Sequence, residues 1–125
     1  AFDLCRDRKT ALEEIIALGC NRVLTSGQAS SAKEGAAVLA ELVTQAHNRI
    51  TILAGAGVGP DNAAGIIAAS GTNEVHASAR HTVGSKMRYR HEGVSMGVPG
   101  SDEYSRKVTS AEIVKEIVTN INPQK

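Results

Sequence analysis

Three short stretches carry the residue types most capable of chemistry: Ser26-Gly27, Gly55-Ala56-Gly57 and Ser78-Ala79-Arg80. Together they offer hydroxyls, backbone amides and a guanidinium. That set suits a phosphate or a carboxylate, which Arg80 can grip with two parallel hydrogen bonds. Glycine helps because it takes positive φ and lets a ligand approach the backbone closely. A plainer alternative has Ser26 and Ser78 capping turns and Arg80 in a surface ion pair. His76 is the candidate for proton transfer, since imidazole titrates in the range that acid–base work needs. Asp3 could orient it or act as a base. The alternative for His76 is a hydrogen-bonded core residue, as no nucleophile stands at a fixed spacing from it.

Metal-ligating side chains are scattered. Cys5 and Cys20 fall at opposite ends of an expected helix, about 15 residues or some 22 Å apart along its axis, so they would not chelate one ion together. Cys20, after Gly19, reads as an ordinary buried thiol. Cys5 lies just past an expected strand end and is the weak metal candidate of the pair. His81, Met87, His91 and Met96 could donate to a soft ion such as Cu(I), although residues scattered in this way are usually just solvated.

The elements that would position these residues follow from periodicity. Ile50 to Ala54 is a short apolar run with β-branched residues, hence a buried strand, and it breaks into Gly55-Ala56-Gly57. A helix over Asn62–Ser70 follows, stopped by Gly71. That order aims backbone N–H groups at one place, where an anion is welcome. The same unit recurs on both sides. Thr10–Leu18 reads as a helix with Leu12, Ile15 and Ile16 on one face, closed by Gly19. Arg22–Thr25 is a strand ending in Ser26-Gly27. Ser31-Ala32-Lys33-Glu34 matches a capping box for a helix that turns Leu39, Leu42, Val43 and Ala46 inward.

Glu74–Ser78 reads as a strand with Glu74, His76 and Ser78 on one face. Ala79–Lys107 shows no clean period, and a connection of that length in a small domain is usually functional or mobile. Thr109-Ser110-Ala111-Glu112 is a second capping-box match, opening a helix that Pro123 closes. Ala1-Phe2-Asp3 begins without Met and reads as the tail of a strand. The amino end is therefore expected to be processed, or the chain a fragment or splice product of something longer.

The expected strand ends near Asp3, Ser26, Gly55 and Ser78 are 23, 29 and 23 residues apart. A repeated βα unit predicts a parallel sheet with right-handed crossovers. Four units make a small open sheet or half of an eight-unit barrel, and in both the strand tips converge on one side, where ligands bind.

With 125 residues the chain makes one domain with one modest core. A formal net charge of +1 gives no bulk attraction to nucleic acid or to a membrane surface. Aromatics are limited to Phe2, Tyr89 and Tyr104, which argues against a base-stacking surface. Two separated cysteines fit a reducing, intracellular compartment better than a disulfide framework. No apolar run approaches the ~20 residues needed to cross a bilayer.

Ala1-Phe2-Asp3, Arg22-Val23-Leu24-Thr25-Ser26-Gly27, Gly55-Ala56-Gly57, Glu74-Val75-His76-Ala77-Ser78-Ala79-Arg80 and Glu103-Tyr104-Ser105 together resemble the copper homeostasis protein CutC family. The resemblance runs over essentially the whole chain. It implies a (β/α)8 TIM-barrel type of α/β fold about twice this length, cytoplasmic and associated with copper handling. It also implies that residues 1–125 form its carboxyl-terminal half, from the end of the fifth strand. Copper ligands proposed for the family would lie in the other half, so copper, as Cu(I), is implied by the resemblance alone. What carries over is the pocket, with Asp3, Ser26, Gly55, Gly57, His76, Ser78 and Arg80 in motif stretches lining the barrel top. Two functions are open: a copper-binding homeostasis protein, and a barrel enzyme acting on a small anionic or phosphorylated substrate. A blander option is an inactive fragment that only scaffolds. A half barrel would have open edge strands and one uncovered sheet face, so it is expected to form a homo-oligomer or to pair with a missing amino-terminal half.

Overall fold

Asp7 starts the first regular element. Its carboxylate accepts hydrogen bonds from the amides of Lys9 and Thr10, at 3.1 and 3.2 Å, which satisfies N–H groups that a helix start leaves unpaired. Helix α1 therefore runs Arg8–Ala17. Gly19, at φ +83°, ends it by returning its N–H to the Ile16 carbonyl. The computed structural model describes residues 1–89 and 104–122. After α1 come β1 (Arg22–Thr25), α2 (Ala36–Ala46), β2 (Thr51–Ala54), α3 (Ala63–Ser70) and β3 (Glu74–Val75). The chain then forms β4 (Arg80–Gly84), β5 (Ser105–Thr109) and α4 (Ala111–Ile121).

Strands β1, β2 and β3 form one parallel sheet in that order, with Val23 opposite Ile52 and Ala54 opposite Val75. One face of it is apolar and buried: Val23, Ile52 and Ala54 meet Leu12 of α1, Leu39, Leu42 and Ala46 of α2, Ile66 of α3 and Ile117 of α4. Leu12 and Leu39 are fully buried, and each such side chain contributes roughly 1.5–3 kcal/mol through removal from water. The other face is open. Leu24 is 49% exposed there, and Arg22 reaches across β2 to grip Glu74 at 2.7 and 2.9 Å. Parallel sheets ordinarily carry cover on both faces. The described residues form a partial α/β fold with a parallel sheet and do not close a barrel.

Several elements differ from the sequence expectations. Residues Phe2–Leu4 form a single 3-10 turn instead of a strand tail, because the Asp3 carboxylate there is held by the loop after β1. The Ser31 capping box is half made. The Glu34 amide donates to Ser31 Oγ at 3.2 Å, but the Glu34 carboxylate takes the Ser30 hydroxyl instead of reaching back. Residues 31–35 consequently form turns, and α2 begins only at Ala36. At α4 the cap is Ser110, one residue later than the Thr109 match. Ser110 Oγ accepts from the Ile113 amide at 3.3 Å, while Thr109 stays in β5. Cys20 is exposed, not buried, since α1 ends before it and nothing covers the turn.

The largest departure lies in the expected structureless connection after residue 79. It contains an antiparallel pair, β4 with β5, in the register Arg80–Thr109, Thr82–Lys107 and Gly84–Ser105. The expected strand over Glu74–Ser78 is correspondingly short. It leaves the ladder after Val75, with one further bond from the His76 amide to the Ala54 carbonyl at 2.8 Å. His91, Met96, Glu103 and Pro123 lie outside the described residues.

Candidate functional site

A cleft of about 460 Å3 opens at the carboxyl ends of β1–β3. It is lined by Asp3, Ser26, Gly55, Gly57, His76, Ser78 and Arg80, with Ala56 and Leu24 between them. Three loops separated by tens of residues thus meet on one side, as parallel strands in register require. A larger groove, about 840 Å3, runs between α1 and α2. Its Arg8 is already paired with Glu41 at 2.6 Å, whereas the cleft at the strand tips keeps an Arg80 with no carboxylate partner among the described residues, which makes it the better candidate.

The loop after β1 is closed on itself. Asp3 accepts the Thr25 hydroxyl and the amides of Ser26 and Gln28, each amide at 3.1 Å. Burial raises the Asp3 pKa, but the bond from Thr25 and those from Ser26 and Gln28 outweigh it and hold the carboxyl below its usual range. Asp3 is therefore an ionised latch, and none of its hydrogen bonds goes to His76. Ser26 donates its hydroxyl to the Ala29 carbonyl at 2.7 Å, and the Gly27 amide donates to Thr25 Oγ1 at 2.9 Å. Gly27 does not line the cleft. It has φ +72°, and a Cβ there would sit 2.4 Å from the Gly35 carbonyl oxygen. Its backbone packs closely against the residue that precedes α2, Gly35, where an added Cβ would likewise meet the Ser26 carbonyl.

The loop after β2 is more open. The Gly55 amide is tied to the Thr25 carbonyl at 3.1 Å, and the Ala56 carbonyl accepts from Ala32. Ala56 and Gly57 have φ +85° and +69°, and their amides reach no acceptor among the described residues. The positive φ that the glycine pair promised is thus shared between Ala56 and Gly57. A Cβ on Gly55 would lie 3.6 Å from Nδ1 of His76 and 2.5 Å from Leu24 Cδ1, so the imidazole leans over this glycine.

Beyond β3, His76, Ser78 and Arg80 alternate along one side, all exposed. Arg80 pairs with no carboxylate among the described residues. Ser78 gives its carbonyl to the Thr109 hydroxyl at 3.2 Å, and the Ala79 carbonyl accepts the Ser110 amide at 2.8 Å. The hairpin base is therefore tied to the cleft wall. The arrangement offers an anion a guanidinium, a hydroxyl and two amides, with an imidazole beside them. Ala56 carried no signal in the sequence, because alanine does not advertise a left-handed backbone. Gly35 and Gln28 were missed for a similar reason: only contacts across the fold reveal them.

Copper(I) favours thiolate, thioether or imidazole donors in groups. Among the described residues no cluster of three or more His, Cys, Asp or Glu side chains could hold a metal. Cys5 is half-buried outside the cleft, with Sγ 3.6 Å from the Gln28 amide nitrogen that donates to its carbonyl. The described donor set does not fit a copper ion.

Comparison with known proteins places this geometry. The CutC family model matches residues 1–81. A CutC family protein of Chromobacterium violaceum is 58% identical over 117 residues, covering 94% of this chain and 47% of that protein. One of Bacteroides thetaiotaomicron is 52% identical over 115 residues, covering 91% and 46%. The chain spans about half the length of the curated relatives it matches. A crystal structure of a CutC protein from Streptococcus agalactiae, named for copper homeostasis, superposes with a TM-score of 0.57 at 32% identity, over 60% of this chain and 38% of that one. With sequence and strand-tip geometry in agreement, the chain belongs to the CutC family.

Proposed function

We propose that this chain takes part in copper homeostasis as a CutC-family protein in the cytoplasm, and that its cleft binds a small oxyanion, as an enzyme's substrate pocket would. The observation that carries this reading is the convergence on one cleft of Arg80, Ser78 and the amides of Ala56 and Gly57, which reach no acceptor among the described residues. Among the described residues Asp3 is the one carboxylate that lines it, and three donors already engage it. A phosphate or carboxylate would sit against the two amides with Arg80 bidentate. His76, beside Gly55, would be placed to give or take a proton from the group attached to that anion. Two cysteines without a disulfide support the reducing compartment.

The test is phosphate binding by titration calorimetry. Arg80→Ala removes a charge-assisted pair of hydrogen bonds and is expected to weaken affinity about ten- to hundred-fold. Unchanged affinity would overturn the reading.

A second reading, direct copper binding, is favoured by the name carried by the Streptococcus agalactiae relative. It is checked by Cu(I) competition titration of a full-length family protein, with stoichiometric binding expected if it holds. The described residues supply no donor set for it, which is why the anion pocket is preferred.

A further inference from the structure

Charge is distributed very unevenly in this chain. Residues 80–89 and 104–109 hold Arg80, Lys86, Arg88, Arg106 and Lys107 and no carboxylate, although the whole chain carries only +1. The rest of the molecule is therefore net negative. None of these five cations forms an ion pair among the described residues. Among the described residues this stretch thus carries an excess of cations, which raises the local concentration of anions.

The position of the patch is as telling as its sign. Arg80 is at once a cleft-lining residue and the first residue of β4. Its partner across the ladder is Thr109, so Lys107, opposite Thr82, is its diagonal neighbour on the same face. Diagonal neighbours of this type lie about 7–8 Å apart, and both side chains are exposed. The hairpin cannot swing freely at this end. Thr109 Oγ1 bonds the Ser78 carbonyl and the Ser110 amide bonds that of Ala79, which ties β5 to the cleft wall. The register thus places the backbone of a second cationic residue one diagonal step from Arg80, outside the cleft lining.

We propose that the ligand of this cleft is elongated and carries two anionic groups, a bisphosphate in class. The first group is held by Arg80, Ser78 and the amides of Ala56 and Gly57, and the second by Lys107 on the hairpin. This rests on the anion-pocket reading above and adds the ligand's length and its second charge. Once the first group is seated, the second contact is intramolecular and strengthens binding through effective concentration.

Titration calorimetry on the full chain tests it, with inorganic phosphate and an alkanediol bisphosphate whose phosphates lie about 7–8 Å apart. The bisphosphate is expected to bind at least about ten-fold more tightly than phosphate. Lys107→Gln, at an exposed strand position, should abolish that gain and leave phosphate affinity unchanged. Lys115→Gln on α4 should change neither. Phosphate binding with no gain for the bisphosphate, or a gain that survives Lys107→Gln, overturns the inference and leaves the anion pocket standing. A gain lost equally in Lys115→Gln assigns the effect to general charge attraction and also overturns it. If neither probe binds, the anion pocket falls and the inference with it.

Discussion

Asp3 shows how one side chain can hold the loops of a site together. Its carboxylate collects the Thr25 hydroxyl and two amides from a loop more than twenty residues away. Asp3→Asn would keep the shape but leave two or more donors with a weaker acceptor. A loss of about 1–2 kcal/mol at neutral pH is expected after allowing for partial exposure. The pH dependence has a definite sign. The folded-state pKa is lowered from 3.8, so the contribution is complete above the unfolded value and fades as pH falls through the folded one. Chemical denaturation of both forms should show their stability difference persisting from pH 7 to about 5 and shrinking below about 4. A difference that stayed constant in acid would rule out the ionised latch. The sequence flagged Asp3 for its chemistry. Its actual partners, Thr25 and Gln28, were invisible because their proximity is created by the fold.

At the scale of elements, local signals worked best where they acted over one turn. Gly19 and Gly71 end α1 and α3 in left-handed conformations, as their positions foretold. The capping boxes were less exact, since a hydroxyl two or three residues from a helix start has competing partners. Thr109 illustrates this, drawn into β5 and onto Ser78, which leaves Ser110 to cap α4. Ser110→Ala should cost about 1 kcal/mol, read as a lower denaturation midpoint. A change below about 0.3 kcal/mol would show that the cap contributes little. The β4–β5 pair escaped notice because β4 ends at Gly84 and β5 begins only at Ser105, a separation far longer than the loops of about two to five residues by which a hairpin is read. Its alternation, Arg80-His81-Thr82-Val83 against Arg106-Lys107-Val108-Thr109, makes sense only once the register is known.

The described residues form one layer of helices on one face of a three-stranded parallel sheet, together with the two-stranded β4–β5 sheet. The opposite face leaves Leu24 about half exposed, and among the described residues β1 and β3 have strand neighbours on one side only. Edge strands and an exposed Leu24 on the open face favour association. Sedimentation of this chain at micromolar concentration is expected to show species larger than a monomer, and a stable compact monomer would rule that out. The repeating strand–turn–helix order, the parallel direction and the gathering of Ser26, Gly55 and Ser78 on one side were all legible from residue spacing. Periodicity and turn residues are local, and right-handed βα units leave few ways to assemble. Which amides remain free, which glycine packs against Gly35 and which lysine stands beside Arg80 were decided by tertiary structure alone. Those relations join residues far apart in the chain, and no short-range pattern encodes the distance between them.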